Sequence, residues 1–259
     1  MSVELSLQLW AAVFAVVALA GLLQGAIGFG FPVIATPMLA MLMDIRTAIV
    51  VTVVPNIVTG VIAILRGGQL RSSLGRHWKV AFWTLPGALL GTKLLIFASQ
   101  DWLKLFLAVA LFVYLRQEAL NRVDWSAVRA HPDRSGAVAG FLGGLLSGSV
   151  NVALPPLLIY FSALGLSTVV MTQVMNLCFV TARMVQTTGL ALAGALDGAA
   201  ILVSLPLTAL ALLMMWLGWR IQDRIDALTY KKVLKLFLWA MAIGLALQSG
   251  WNLLADRTS

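Results

Sequence analysis

Two glycine-dense stretches hold the residue types in this chain best suited to gripping a small ligand. The first runs Gly21-Leu22-Leu23-Gln24-Gly25-Ala26-Ile27-Gly28-Phe29-Gly30-Phe31-Pro32 and on to Pro37; the second runs Gly140-Phe141-Leu142-Gly143-Gly144-Leu145-Leu146-Ser147-Gly148-Ser149-Val150-Asn151 and on to Pro156. The first interrupts an uncharged apolar run, so the backbone is expected to open at membrane depth, where irregular chain survives only if buried in protein or lining a cavity. Two opened helices present unpaired N–H groups and the positive ends of helix dipoles, which is how discontinuous helices hold anions. The expected donors are the backbone from Gly28 through Gly30 to Pro32, and Ser147, Gly148, Ser149 and Asn151. Pro32 has no N–H, which makes the second stretch the better donor. The competing reading is that these small residues only let helices pack closely in lipid.

Arg183 lies between Thr168 and Leu192, in a run with no other charge. A charge in the middle of a membrane helix costs ~2.5–3.5 kcal/mol on insertion scales, so it faces a cavity or a partner. No carboxylate is close in sequence: Asp44, Asp101 and Asp197 all stand at the ends of apolar runs. A substrate anion fits the vacancy; the alternatives are an Arg183 that reaches the membrane interface or pairs with Asp197. Asn56 and Asn176 sit inside apolar runs, where a buried amide must find partners: the opened backbone, the substrate or a neighbouring helix. Gln24, Gln173 and Gln186 are weaker candidates of the same kind. His77 and His131 fall in basic segments between runs and read as solvated side chains.

The elements that position these residues follow from composition. The chain has 259 residues, 61% hydrophobic and 11% charged, with a mean hydropathy of +0.95, against about 45–50% and 25% in soluble domains. So few charges cannot clothe a large soluble core. Long apolar runs without strand-like alternation predict an all-α integral membrane protein. The net charge of +8 gathers in short clusters between runs, as in cytoplasmic loops, and not in a nucleic-acid face. One cysteine, Cys178, allows neither a disulfide within the chain nor a thiolate metal site. Leu5 to Ala20 imitates a signal peptide, but no Lys or Arg precedes it. No H-E-x-x-H, P-loop, G-x-S-x-G or intrahelical carboxylate pair occurs, so no enzyme activity, cofactor or metal is expected.

In order, a helix is predicted over Leu7 to Ile27, then the break, a short piece Val33 to Met43, and a run Thr47 to Leu65. A basic loop from Arg66 to His77 follows, then crossings Trp78 to Phe97 and Trp102 to Leu115, and a polar connection Arg116 to Arg134. The second half repeats the first. Gly21, Gly25 and Pro37 recur at one spacing as Gly140, Gly144 and Pro156. After one inserted residue, Asn56 and Leu85-Pro86 recur as Asn176 and Leu205-Pro206; Leu103-Lys104-Leu105-Phe106-Leu107 reappears letter for letter at Leu234 to Leu238. The division is residues 1–117, a first membrane repeat; 118–134, a basic cytoplasmic connection; and 135–259, a second repeat. Placing the basic segments Arg66 to Lys79, Arg116 to Arg134 and Arg220 to Lys235 inside makes the repeats inverted. Each half then needs a glycine-rich broken-helix hairpin plus about three transmembrane helices, the second hairpin being Gly136 to Leu146 and Val152 to Ala163, about a dozen residues each and short of the ~20 that span.

A G-x-x-x-G-x-x-G-x-G series with a proline seven residues on, the same region echoed in the second half of a chain of this length, resembles the sulfite exporter TauE/SafE family of membrane permeases. The resemblance covers nearly the whole chain. It implies a secondary transporter of a small anion (sulfite, an organosulfonate, sulfoacetate or a related oxyanion or carboxylate) across the bacterial inner membrane. The partners are then that anion and membrane lipid, with no nucleic acid and a homodimer left open. An anion channel of the same architecture and a non-transporting accessory subunit are the other readings. The expected substrate-binding residues are Gly28, Gly30, Asn56, Ser147, Gly148, Ser149, Asn151, Asn176 and Arg183.

Overall fold

The computed structural model describes residues 7–68, 70–116, 125–196, 198–222 and 227–255. The helices are α1 (Leu7–Ile27), α2 (Phe31–Leu42), α3 (Ile45–Val51), α4 (Val53–Arg66), α5 (Leu70–Phe97), α6 (Gln100–Leu115), α7 (Ser126–Ala130), α8 (Pro132–Val150), α9 (Leu154–Ala163), α10 (Thr168–Leu192), α11 (Gly198–Ile221) and α12 (Ala227–Ala255); no strand occurs among the described residues. Among the described residues four stretches, Leu7–Ile27, His77–Phe97, Thr168–Leu192 and Ile201–Ile221, are long and apolar enough to cross a membrane, and the bent pair Ile45–Val51 and Val53–Arg66 makes a fifth if it counts as one span. The chain is the all-α, multi-pass integral membrane protein its composition predicts.

The run expected as one helix over Thr47 to Leu65 is instead the pair α3 and α4, bent by 51°. Pro55 explains the position of the corner. It lacks an N–H, and its ring crowds the carbonyl four residues back, at Val51, where α3 ends. Asp44 caps α3, accepting from the N–H of Arg46 at 2.8 Å. The Arg46 guanidinium donates to the carbonyls of Leu95, Ile96 and Ala98, placing a positive charge on the C-terminal end of α5.

Three expectations are corrected. The basic segment Arg66 to His77 is mostly helix, since α5 starts at Leu70, and His77 stands on that helix edge-on to Phe161, ring centroids 6.3 Å apart. The second hairpin has unequal arms, a 19-residue α8 and a 10-residue α9, in place of two pieces of a dozen. Its helix runs on to Val150 because nothing from Ser147 to Ser149 forces it to stop. Part of the expected connection 118–134 is also helical, with α7 and the start of α8 at Pro132, a residue suited to the first helical position. Residues 117–124, Asp197 and Arg224, with the expectations placed on them, lie outside the described residues.

Most of the glycines are used to bring helices together. A Cβ at Gly21 would lie 2.6 Å from the carbonyl oxygen of Ala211, and Gly25 abuts the Met215 carbonyl, so α1 lies directly on α11. Gly140, Gly144 and Gly148 abut the carbonyls of Val80, Thr84 and Ala88 in the same way, seating α8 on α5. In both seams the paired positions rise together, so each pair runs parallel. The motif helix of each half therefore packs against a helix of the other half. Helices α4 and α10, which carry the equivalent residues Asn56 and Asn176, cross at Gly60 and Val180. Gln173 Nε2 donates to Ile64 O at 3.0 Å. As the chain advances along α4 it retreats along α10, so these repeat-equivalent helices are antiparallel.

Candidate functional site

The backbone opens twice. At the first break, between α1 and α2, Gly28 has φ 89° and Gly30 φ 137°, conformations that L side chains rarely adopt. At the second, between α8 and α9, Asn151 takes the left-handed conformation with φ 65° and ends α8. Ser147, Gly148 and Ser149 precede that break and are helical, which corrects the expectation that their backbone is open. Ser149 Oγ donates to Leu145 O at 2.6 Å within its own helix. The following helix begins Leu154-Pro155-Pro156, so two of its first three residues have no N–H to offer.

Two of the groups freed at the first break are met by side chains. Gly28 N–H still donates to Gln24 O at 2.8 Å. The carbonyl of Gly28 accepts from Asn176 Nδ2 at 2.8 Å and Gln24 Nε2 at 3.2 Å, while Gln24 Oε1 accepts from the N–H of Phe31 at 2.9 Å. Gln24 Nε2 also reaches Asn176 Oδ1 at 3.2 Å. The Gly28 carbonyl and the Phe31 N–H at the break are therefore held by the Gln24 and Asn176 side chains.

The second break is tied down by charge. Arg183, on α10, is 3% exposed and donates to Asn151 Oδ1, Gln186 Oε1 and, at 3.4 Å, Ser147 Oγ. Gln186 Nε2 donates to Gly148 O at 2.7 Å. Asn151 Nδ2 donates to Thr36 Oγ1 at 3.0 Å, joining the second break to α2 behind the first. Every acceptor named here for the guanidinium is neutral. Among the described residues the one salt bridge is Lys79 with Asp133, distant in sequence and exposed. Arg183 thus carries an uncompensated positive charge in the protein interior, a situation that costs heavily unless a counter-ion arrives.

A small cavity of about 10 Å³ lies beside the first break, lined by Gln24, Pro32, Asn56, Thr59, Asn176 and Arg183, among others; Arg183 links it to the second break. That is room for about one water molecule. Asn176 and Asn56 are equivalent in the repeat but not in their bonding. Asn176 holds the carbonyl of the first break, whereas Asn56 Nδ2 is buried and has no partner among the described residues. The corresponding carbonyls of the second break, on Ser147 and Gly148, are taken by Gln186. One buried amide donor is thus left without a partner among the described residues, on a residue that lines the cavity together with Arg183.

Of the residues expected from the sequence, the structure gathers Asn56, Asn176 and Arg183 around one cavity, with Ser147 and Asn151 bound to Arg183 and Gly28 bound to Asn176. Gly30 caps α2, Gly148 contributes a carbonyl, and Ser149 lies in the α5–α8 seam, where its N–H comes close to Gly91. Gln24 and Gln186 are more central than their sequence setting suggested. Their signal was burial potential alone: an amide within an apolar run must bond to something. Thr36 gave no sequence signal.

Broken helices whose polar groups converge inside a helical bundle define a membrane protein of the transporter type. Residues 13–245 match the family model for the sulfite exporter TauE/SafE family, and the chain belongs to that family of membrane transporters. No curated protein and no solved structure matches it.

Proposed function

We propose that the protein is a secondary carrier of a small oxyanion, of the class sulfite, organosulfonate, sulfoacetate or short carboxylate, and that it works by alternating access in the bacterial inner membrane. The observation that carries this reading is the buried Arg183 charge with only neutral partners, at the wall of a cavity also lined by Asn56, whose amide has no partner among the described residues. An oxyanion supplies the missing charge to the first and an acceptor to the second. Arg183 and Asn56 contact the anion; Asn176, whose amide hydrogens go to Gly28 O and Thr172 O, holds the first break, and Ser147 and Asn151 hold the guanidinium in place. Gly28 and Gly30 keep the first break open, and Gly148 anchors Gln186. The cavity is too small for any such anion, so loading requires the helices at the breaks to part, as alternating access demands.

The repeats are residues 1–117 and 135–259, joined by 118–134, and their inverted relation is supported by the antiparallel crossing of α4 and α10. A pair of repeats related by an axis along the membrane normal would make those helices parallel. The test is counterflow in proteoliposomes. Vesicles preloaded with unlabelled sulfite should transiently accumulate labelled sulfite above equilibrium, whereas a channel collapses the gradient and gives single-channel current steps. No sulfite-, sulfonate- or carboxylate-dependent flux above empty vesicles would reject the carrier reading.

A further inference from the structure

A second cavity, of about 740 Å³, lies away from the breaks in the angle between α6, α8 and α9. Its volume is in the range of pockets that enclose a whole small ligand, yet its walls, including Phe106 and Val113 on α6, Val138 and Leu142 on α8 and Ile159 on α9, are apolar. Val113 and Val138, in its wall, are exposed, so the slot opens outward, which beside a membrane-spanning bundle is toward lipid. One end differs in character. There Trp125, His131 and Arg134 line the opening, at the start of α8. Arg134 is exposed and makes no ion pair among the described residues, and the acid beside it, Asp133, is engaged by Lys79 at 3.1 Å.

An apolar slot open toward lipid and ending in a cation at a helix terminus is complementary to one kind of molecule, an amphiphile with a hydrocarbon chain and a negative head. We propose that this groove binds an anionic phospholipid, one acyl chain lying between α6 and α8 and the phosphate at Arg134 and His131. The aromatic ring of Trp125 at the rim suits the headgroup level, where Trp collects in membrane proteins. A second copy of the chain would bring its own net positive charge to a cationic rim, which disfavours it as the occupant. The acyl chain would rest on Pro155, Pro156 and Ile159 of α9, the short helix that follows the second break.

The test is lipid binding by the purified full chain in neutral detergent, read by native mass spectrometry and by the shift in melting midpoint. Phosphatidylglycerol should bind and stabilise more than phosphatidylcholine with the same acyl chains, and inorganic phosphate alone should do neither. Arg134→Gln should weaken phosphatidylglycerol binding about fivefold and remove the preference. Val138→Trp, which fills the slot, should reduce binding of both lipids. Both residues are exposed, so lipid-free variants should melt with the parent; should Val138→Trp fail to fold, Arg134→Gln still decides. Equal binding of the two lipids, or a preference that survives Arg134→Gln, overturns the proposal. So does stabilisation by phosphate alone, which would mean a free-anion site, or a dimer that Val138→Trp splits, which would mean an interface between copies.

Discussion

A guanidinium keeps its charge at any working pH, so the neutral company of Arg183 leaves it in need of an anion. Asn56 and Asn176 then separate two roles that the repeat would otherwise make equal. Asn176→Ala strips the Gly28 carbonyl and Gln24 of a buried partner and should cost about 1–3 kcal/mol of stability, seen as a lowered melting midpoint. Asn56→Ala removes a donor that has no partner, so the melting midpoint should hold while sulfite binding weakens about fivefold, the worth of one neutral hydrogen bond. If Asn56→Ala melts like Asn176→Ala and binds like the parent, the amide is structural. At this scale the sequence was informative where chemistry was rare. One charge in an apolar run and one asparagine at the same place in each half singled out residues that do converge. Ser149 misled because a serine beside glycine reads the same whether it lines an open turn or bonds back to its own helix, as it does to Leu145.

Among the elements, the two breaks and the glycine seams respond to substitution in different ways. A side chain at Gly28 meets both a left-handed backbone and Thr172 Cγ2, 2.7 Å from the Cβ position, whereas the Cβ position at Gly30 is open space. Gly28→Leu should therefore lose transport, by blocking the hinge, while the protein still inserts. Gly30→Ala should pay only the backbone strain, about 1–3 kcal/mol, and keep some activity. Normal transport by Gly28→Leu at parental expression would show that the break is not a moving part. Gly144→Leu should fail earlier, at folding, since its side chain would push α8 off the backbone of α5. Helix ends were legible in places, with α1 ending at Ile27, α5 at Phe97 and α6 at Leu115 as expected, whereas the basic residues before Trp78 did not mark the start of α5. The α3–α4 corner was missed although Pro55 was in view, because a proline inside an apolar run kinks some helices and ends others, and neighbours decide which. The glycine series was legible as important but not as divided. Whether a glycine opens a backbone or seats a neighbour depends on the partner helix, which comes from the other half of the chain.

For the whole molecule, the exchange of motif helices between halves means that neither repeat closes its own seams. The proposed inverted topology predicts His77 and Arg129 on the cytoplasmic side and Ser99 on the opposite side. Single cysteines at those positions, in a Cys178→Ser background, should give outside labelling of Ser99→Cys alone; labelling of all three from outside would contradict the arrangement. The repeat was readable as letters recurring at a near-constant spacing, and an inverted orientation was expected from the basic segments, but which helices touch across the halves was not readable, since charge clusters fix sides and not contacts. The central claim is that the uncompensated charge of Arg183 binds a small oxyanion between the breaks. Its most direct test is isothermal calorimetry of sulfite, sulfoacetate and a short carboxylate against the parent, Arg183→Lys and Arg183→Ala, each shown to be folded by its melting curve. The account predicts saturable binding of at least one anion by the parent, about tenfold weaker binding by Arg183→Lys through loss of the planar fork, and none by Arg183→Ala. A folded Arg183→Ala protein that binds the anion as tightly as the parent would contradict it.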